Sequence, residues 1–173
     1  MPRTKKEYLF IDGYNIINQW SYYREITKSI ENSRNKLIEL LIEYQSYRGI
    51  KVIVVFDAHL VKGSLEKKEI VVGVEVVYTK EHETADSYIE KQLDKIGRYE
   101  SVQVATSDGA IQQIVLARGG TRISAHEMIL ELENVKKDIR TKTDIPRQKG
   151  TNIDQIIDSE TLMKLEKIRR RID

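Results

Sequence analysis

The sequence predicts an α/β fold with a central, mainly parallel sheet, and three observations carry that expectation. Short apolar runs alternate with segments of helical periodicity along nearly the whole chain, the order that successive βαβ units produce. The runs are close to continuous, as in residues 8–11 (YLFI) and 52–56 (VIVVF), which suits strands covered on both faces. Several stop at an acid, Asp12 after the first and Asp57 after the second. In open sheets of this class ligands bind beyond the carboxyl ends of the strands, so acids placed there are candidates for chemistry.

Length and composition set the limits. A chain of 173 residues holds one domain of ordinary size with a proper core. Hydrophobic residues make up 40% and charged residues 32%, the balance of a soluble globular protein, and no apolar run approaches a membrane span. The basic start, Met1-Pro2-Arg3-Thr4-Lys5-Lys6, leads into a strand and not into a secretory signal. With no cysteine there are no disulfides and no thiolate metal sites, which fits a cytoplasmic setting. A net charge of only +2 argues against indiscriminate nucleic-acid binding, while a local basic face stays open.

The elements follow in order. The first strand runs into Asp12-Gly13, where glycine lets the backbone turn sharply, and Asn15 lies one helical turn beyond Asp12. Residues 19–24 read as a polar and aromatic connector containing Trp20, Tyr22 and Tyr23. Ser29 or Asn32 caps a long helix with Leu37, Leu40, Leu41 and Tyr44 inward, closed by Gly49. Past the second strand, residues 59–68 read as an exposed loop carrying Lys62, Lys67 and Lys68. A third strand is expected over residues 71–78, interrupted by Gly73.

Thr84 caps the next helix, with Asp86 in its first turn, Ala85, Tyr88, Ile89, Leu93 and Ile96 inward, and Gly97 at its end. A fourth strand over residues 102–105 closes on Thr106-Ser107-Asp108-Gly109 and leads to a helix burying Ile111, Ile114 and Val115. Arg122 and Ile123 make a short fifth strand. Ser124 and Glu127 match a capping box for a helix turned inward at Met128, Ile129, Leu132 and Val135. From residue 136 the pattern fades into charge: Lys136, Lys137, Arg140, Lys142, Arg147 and Lys149 outnumber Asp138 and Asp144. Residues 1–140 are therefore expected to form the domain. Residues 141–173 read as a basic arm, with Pro146 and Gly150, followed by a last helix from Asp158 or Ser159.

A parallel sheet brings all such strand ends to one edge, so Asp12, Asp57, Asp86 and Asp108 are expected to converge. Carboxylates crowded together take up protons or recruit a cation. Oxygen-only donors, without cysteine or a histidine pair, favour Mg²⁺ or Mn²⁺, one or two ions. A cation at an open site suits phosphodiester hydrolysis, by offsetting phosphate charge and activating a bound water. Asn15 adds polarity for orienting a phosphate or water without adding repulsion. Each acid also has a plain structural use: Asp108 as turn and helix start, Asp86 as a first-turn acid placed for the helix dipole. Glu83 reads as a surface residue, and His59, His82 and His126 as loop or cap residues.

The blocks Phe10-Ile11-Asp12-Gly13-Tyr14-Asn15, Val55-Phe56-Asp57-Ala58-His59, Glu83-Thr84-Ala85-Asp86-Ser87-Tyr88-Ile89 and Ala105-Thr106-Ser107-Asp108-Gly109 together resemble the YacP-type NYN domain, in the PIN-like nuclease group. The resemblance covers roughly residues 8–140. It implies a PIN-like three-layer α/β/α sandwich and a metal-dependent endoribonuclease, from a branch that cuts mRNA in association with the translating ribosome. Carried over by position, Asp12, Asp86 and Asp108 match the acidic positions most directly and Asp57 the strand-end acid. Many PIN domains add a glutamate in the helix after the first strand, for which Glu39 or Glu43 would have to serve.

An RNA-cutting site needs positive charge nearby for the backbone, with Lys62, Lys67, Lys68, Arg140, Lys142, Arg147 and Lys149 as candidates. Trp20, Tyr22 and Tyr23 are candidates for stacking on unpaired bases, against the plainer reading of packing. A phospho-receiver needs an acid beside Asp12 and a lysine after a later strand, and neither is present. A haloacid-dehalogenase-type phosphatase needs an acid where Tyr14 stands. The remaining rival is a non-catalytic RNA- or ribosome-binding protein with the same fold.

Overall fold

A computed structural model describes residues 4–20, 29–59 and 62–143. Among the described residues six strands form one sheet: β1 (Glu7–Asp12), β2 (Lys51–Phe56), β3 (Lys67–Val71), β4 (Val74–Tyr78), β5 (Ser101–Ala105) and β6 (Thr121–Ile123). Their spatial order is β3-β4-β2-β1-β5-β6. Every neighbouring pair is parallel except β3 with β4. The helices are α1 (Gly13–Gln19), α2 (Ile30–Arg48), α3 (Ala85–Ile96), α4 (Gly109–Ala117) and α5 (Ala125–Thr143).

Two compact units divide the chain, Met1–Lys136 and Lys137–Asp173. Within the first, the strand pleat sends alternate side chains to two separate cores. Phe10, Ile53, Val55, Val77, Val102 and Val104 pack with Tyr88, Ile89 and Leu93 of α3 and with Ile111 and Val115 of α4. Leu9, Ile11, Val52, Val54 and Phe56, buried on the opposite pleat, meet the helices of the other layer, in which Leu37, Leu41 and Tyr44 of α2 are buried. Tyr44 donates its hydroxyl proton to Glu131 Oε2 of α5 at 2.5 Å, and burial raises the pKa of this phenol. The sheet is thus a three-layer α/β/α core, and burial of both faces is why its strands read as continuous apolar runs. No helix among the described residues is long and apolar enough to cross a membrane.

Local chemistry sets most boundaries as expected. Ser29 caps α2, and Gly49 ends it in the left-handed region, φ 67°. Thr84 Oγ1 accepts from Ser87 N at the start of α3. Ser124 and Glu127 close a reciprocal capping box, Ser124 N donating to Glu127 Oε2 at 2.7 Å and Glu127 N to Ser124 Oγ at 3.2 Å. That pair of bonds holds the Glu127 carboxyl below its ordinary range.

Four expectations need correction. Lys67 and Lys68 do not lie in a loop: they open β3, which pairs antiparallel with β4 across a Val72-Gly73 turn. Both turn residues have positive φ, 47° and 91°, the conformation of a tight hairpin turn. The short helix α1 replaces part of the expected connector, started by the Asp12 cap and anchored by buried Ile16 and Ile17. Trp20, at the end of α1, is 6% exposed and packs in the core, so it is removed from the base-stacking candidates. Helix α5 continues to Thr143, because lysine and arginine favour helix and complement its C-terminal dipole, which puts Lys142, expected in the arm, on the same helix as Arg140. Tyr22, Tyr23, Arg147, Lys149 and the last expected helix lie outside the described residues.

Gly13 has a different role from the one its sequence suggests. Its φ is not positive; a Cβ there would fall inside the van der Waals surface of the Phe56 ring. Glycine is needed because α1 approaches β2 closely, and Tyr14 then packs edge-on against Phe56 at 5.2 Å between centroids.

Candidate functional site

Strands β2 and β4 lie to one side of β1, β5 and β6 to the other, so the chain reverses its direction of travel between β1 and β5. The carboxyl ends of those two strands flank the crevice where open α/β sheets bind ligands. Helices α1 and α4 begin there, capped by Asp12 and Asp108. Asp12 Oδ1 accepts from Asn15 N at 3.2 Å, and Asp108 Oδ1 accepts from Ala110 N at 2.8 Å and Ile111 N at 3.2 Å. Asn15 Oδ1 accepts from Ser107 N at 3.0 Å, a bond that spans the crevice between β1 and β5. That leaves only the Asn15 amide donors for a substrate.

On the β2 side, Asp57 Oδ1 accepts from His59 N at 2.9 Å and contacts His59 Nδ1, while Oδ2 accepts from Ala85 N at 3.4 Å. Asp57 therefore braces the start of α3. Asp86, the second residue of α3, differs from the other three acids. Its Oδ1 is buried and has no hydrogen-bond partner. An orphaned buried carboxylate oxygen is costly, and natural proteins seldom keep one without use.

Asp12 and Asp86 feel the neighbouring acids. Burial lifts Asp12 from an ordinary 3.8 to about 6, with further upward pushes from Asp86, Asp57 and Asp108 against the lowering bond from Asn15 N. Asp86 is also raised, first by burial and then by Asp108 and Asp57. Among the described residues, no three histidine, aspartate or glutamate side chains stand close enough to form a ready-made cation cage. Asp12 and Asp108 are each engaged in capping a helix, and Asp57 in bracing the start of α3.

Other candidates sort by position. Glu39 pairs with Lys36 at 2.9 Å, and Glu43 is exposed. Glu83, expected at the surface, is 4% exposed and pairs with Lys91 at 2.7 Å, its Oε2 buried without a partner. Lys62 is exposed. Lys67 lies in register with Tyr78 at the carboxyl end of β4, its ammonium 5.7 Å from the ring centroid, and Lys68 sits 5.3 Å over the Tyr88 ring. Arg34 joins them, donating to Tyr14 Oη at 2.9 Å with its guanidinium 5.7 Å over Tyr78. No local pattern marks this arginine in the sequence, since it depends on α2 crossing α1 and β4.

The model of the YacP-like NYN domain family matches residues 9–170. The chain belongs to this family. It is 45% identical over 136 residues to the uncharacterized protein YacP of Bacillus subtilis (strain 168), covering 78% of this chain and 79% of that one. A crystal structure of Rae1 (YacP) from Bacillus subtilis matches at 41% identity and TM-score 0.68, covering 94% of both chains. A mutant of that protein matches at 39% identity and TM-score 0.64, over 78% of this chain and 79% of the other. NYN domains are PIN-like nucleases, so membership supports a nuclease with a role in RNA processing.

Proposed function

We propose that this protein is a metal-dependent endoribonuclease that hydrolyses RNA phosphodiester bonds, cutting mRNA on the translating ribosome. The observation that carries the reading is the buried, unpartnered Asp86 Oδ1 beside Asp12, which burial first, and then Asp86, Asp57 and Asp108, hold well above the ordinary carboxylate range. This donor set fits Mg²⁺ or Mn²⁺ in chemistry, being oxygen only and in need of positive charge. Asp86 and Asp12, with Asp108 and Asp57, would hold the cation. Once bound, it would offset phosphate charge and supply an activated water.

The chain's own groups do the rest. Asn15, whose oxygen is held by Ser107 N, keeps its amide donors for a phosphate, and Arg34, Lys67 and Lys68, the lysines partly balanced by Glu69 and Glu66, offer positive charge for the RNA backbone where β4 ends. The ribosomal setting comes from the family resemblance. One observation favours the rival reading of an RNA binder without catalysis: the absence, among the described residues, of a preassembled three-ligand group.

RNA ends mapped in translating extracts separate the two. Wild-type protein is expected to create new ends that Asp12→Asn or Asp86→Asn abolishes. Identical ends with wild type and both variants would defeat the hydrolytic reading. A second readout needs no cleavage. Because protons compete with a cation for Asp12, Mg²⁺ is expected to raise the melting temperature above about pH 6 and to lose that effect below it.

A further inference from the structure

The opposite edge of the sheet carries a second feature. Where β1 and β2 begin, a cleft of about 580 Å³ is lined by Lys5, Lys6, Arg48 and Lys51, with Glu7 as its one acid. An adjoining cleft of about 370 Å³ shares Lys5 and adds Tyr99 and Glu100. Tyr99 is 93% exposed, a ring that buries almost nothing and so has no packing role. Its neighbour Glu100 is engaged, Oε2 accepting from Lys6 N at 2.6 Å, and Ser101 N donates to Lys6 O at 3.0 Å. These bonds fix the lysine-bearing lead of β1 beside the segment that presents Tyr99. Lys51 is partly balanced by Glu75 at 3.0 Å, whereas no ion pair engages Lys5 or Lys6 among the described residues.

We propose that this amino-terminal edge is a docking surface for unpaired RNA, in which Lys5, Lys6 and Arg48 hold the phosphate backbone and Tyr99 stacks on a base. A basic groove that tracks the backbone, joined to an aromatic platform, is the chemistry that binds single strands without reading sequence. The proposal rests on the RNA reading given above and extends it to a surface remote from the acids. Six-residue strands rising about 3.3 Å per residue put it roughly 20 Å from Asp12. It holds RNA and takes no part in bond cleavage.

The test measures binding of a fluorescently labelled, unstructured RNA to full-length protein carrying Asp86→Asn, at several salt concentrations, with a duplex of equal length and anionic vesicles as comparisons. Lys5→Gln/Lys6→Gln is expected to lower the salt slope by about 1.4, the loss of two phosphate contacts on a single strand. Tyr99→Ala is expected to weaken single-strand binding about fivefold or more, with Tyr99→Phe restoring it. All these side chains are at the surface, and thermal melting confirms that each variant folds. Unchanged affinity and slope in both sets would overturn the proposal. So would an equal loss on duplex RNA with Tyr99→Ala, which marks a general polyanion surface, or vesicle binding that depends on the lysines while RNA binding does not. Cleavage and docking fail separately: a protein that never cuts RNA yet shows these losses keeps the docking surface and loses the nuclease reading.

Discussion

The same strands link two edges of opposite sign. Tracing β1 from Lys6 to Asp12 passes from a basic cleft to an acidic crevice. Helices α1, α3 and α4 begin at the acidic edge, where their positive dipole ends offset the carboxylates, and α2 ends at the basic one, beside Arg48. Charge at either edge therefore has an ordinary explanation in helix electrostatics. The informative groups are those the dipoles leave unexplained: a buried oxygen on Asp86 that bonds to nothing, and an exposed ring on Tyr99 that packs on nothing.

The largest expected effect breaks the comparison if it fails. Asp86→Asn should lower cleavage on the order of a hundredfold without weakening RNA binding, whereas Lys5→Gln/Lys6→Gln should weaken binding without lowering the rate at saturating RNA. Single-turnover kinetics beside binding titrations decide it, and one pattern shared by both variants would erase the distinction between the edges.

Next in size is the cost of the acidic edge to the ion-free fold. A carboxyl raised from 3.8 to about 6 favours the folded state fully below the lower value and loses that contribution as pH rises through the upper one, about 3 kcal/mol in all. Asp12→Asn still caps α1, so it should stabilise the ion-free protein by up to about 3 kcal/mol above pH 6 and by little near pH 4. Urea melts in chelator at both pH values measure this. A gain that does not depend on pH would contradict the electrostatic account.

A smaller loss should follow Gly13→Ala, which forces the Phe56 ring aside and should cost about 1–3 kcal/mol, partly recovered in combination with Phe56→Leu. At the low end, Ser29→Ala removes the α2 cap and should cost about 1 kcal/mol in the same melts while leaving both edges untouched. If it altered cleavage or RNA binding, the edges would be more tightly coupled to α2 than their contacts suggest.

What the sequence discloses follows the range of the forces involved. Caps and helix stops are written within four residues of one another, and Ser29, Thr84, Gly49, Gly97 and the Ser124–Glu127 box are all legible. Strands ending in acids are legible for the same reason, and so is their arrival at one edge, a property of parallel sheets. The β3–β4 hairpin is hidden because Val72, a β-branched residue, occupies a positive-φ turn position that normally signals itself through Gly or Asn. Helix α1 is hidden by weak formers, Gly13, Asn15 and Asn18, held by a cap and by buried isoleucines. Glu83 looks like a surface residue because its partner, Lys91, comes from the next helix and its burial from the whole sheet. The acids announce their positions, but not their existing bonds. That Asp57 braces α3 while Asp86 stays unengaged is a fact of three dimensions.

The amide of Asn15 ties the start of α1 to the turn after β5, 92 residues away. Its oxygen accepts from the Ser107 backbone, in the turn that carries Asp108 and that Thr106 Oγ1 also holds through Asp108 N. A ligand that drew Asn15 away from Ser107 N would have to break this bond, so contact at one wall of the crevice bears directly on the other.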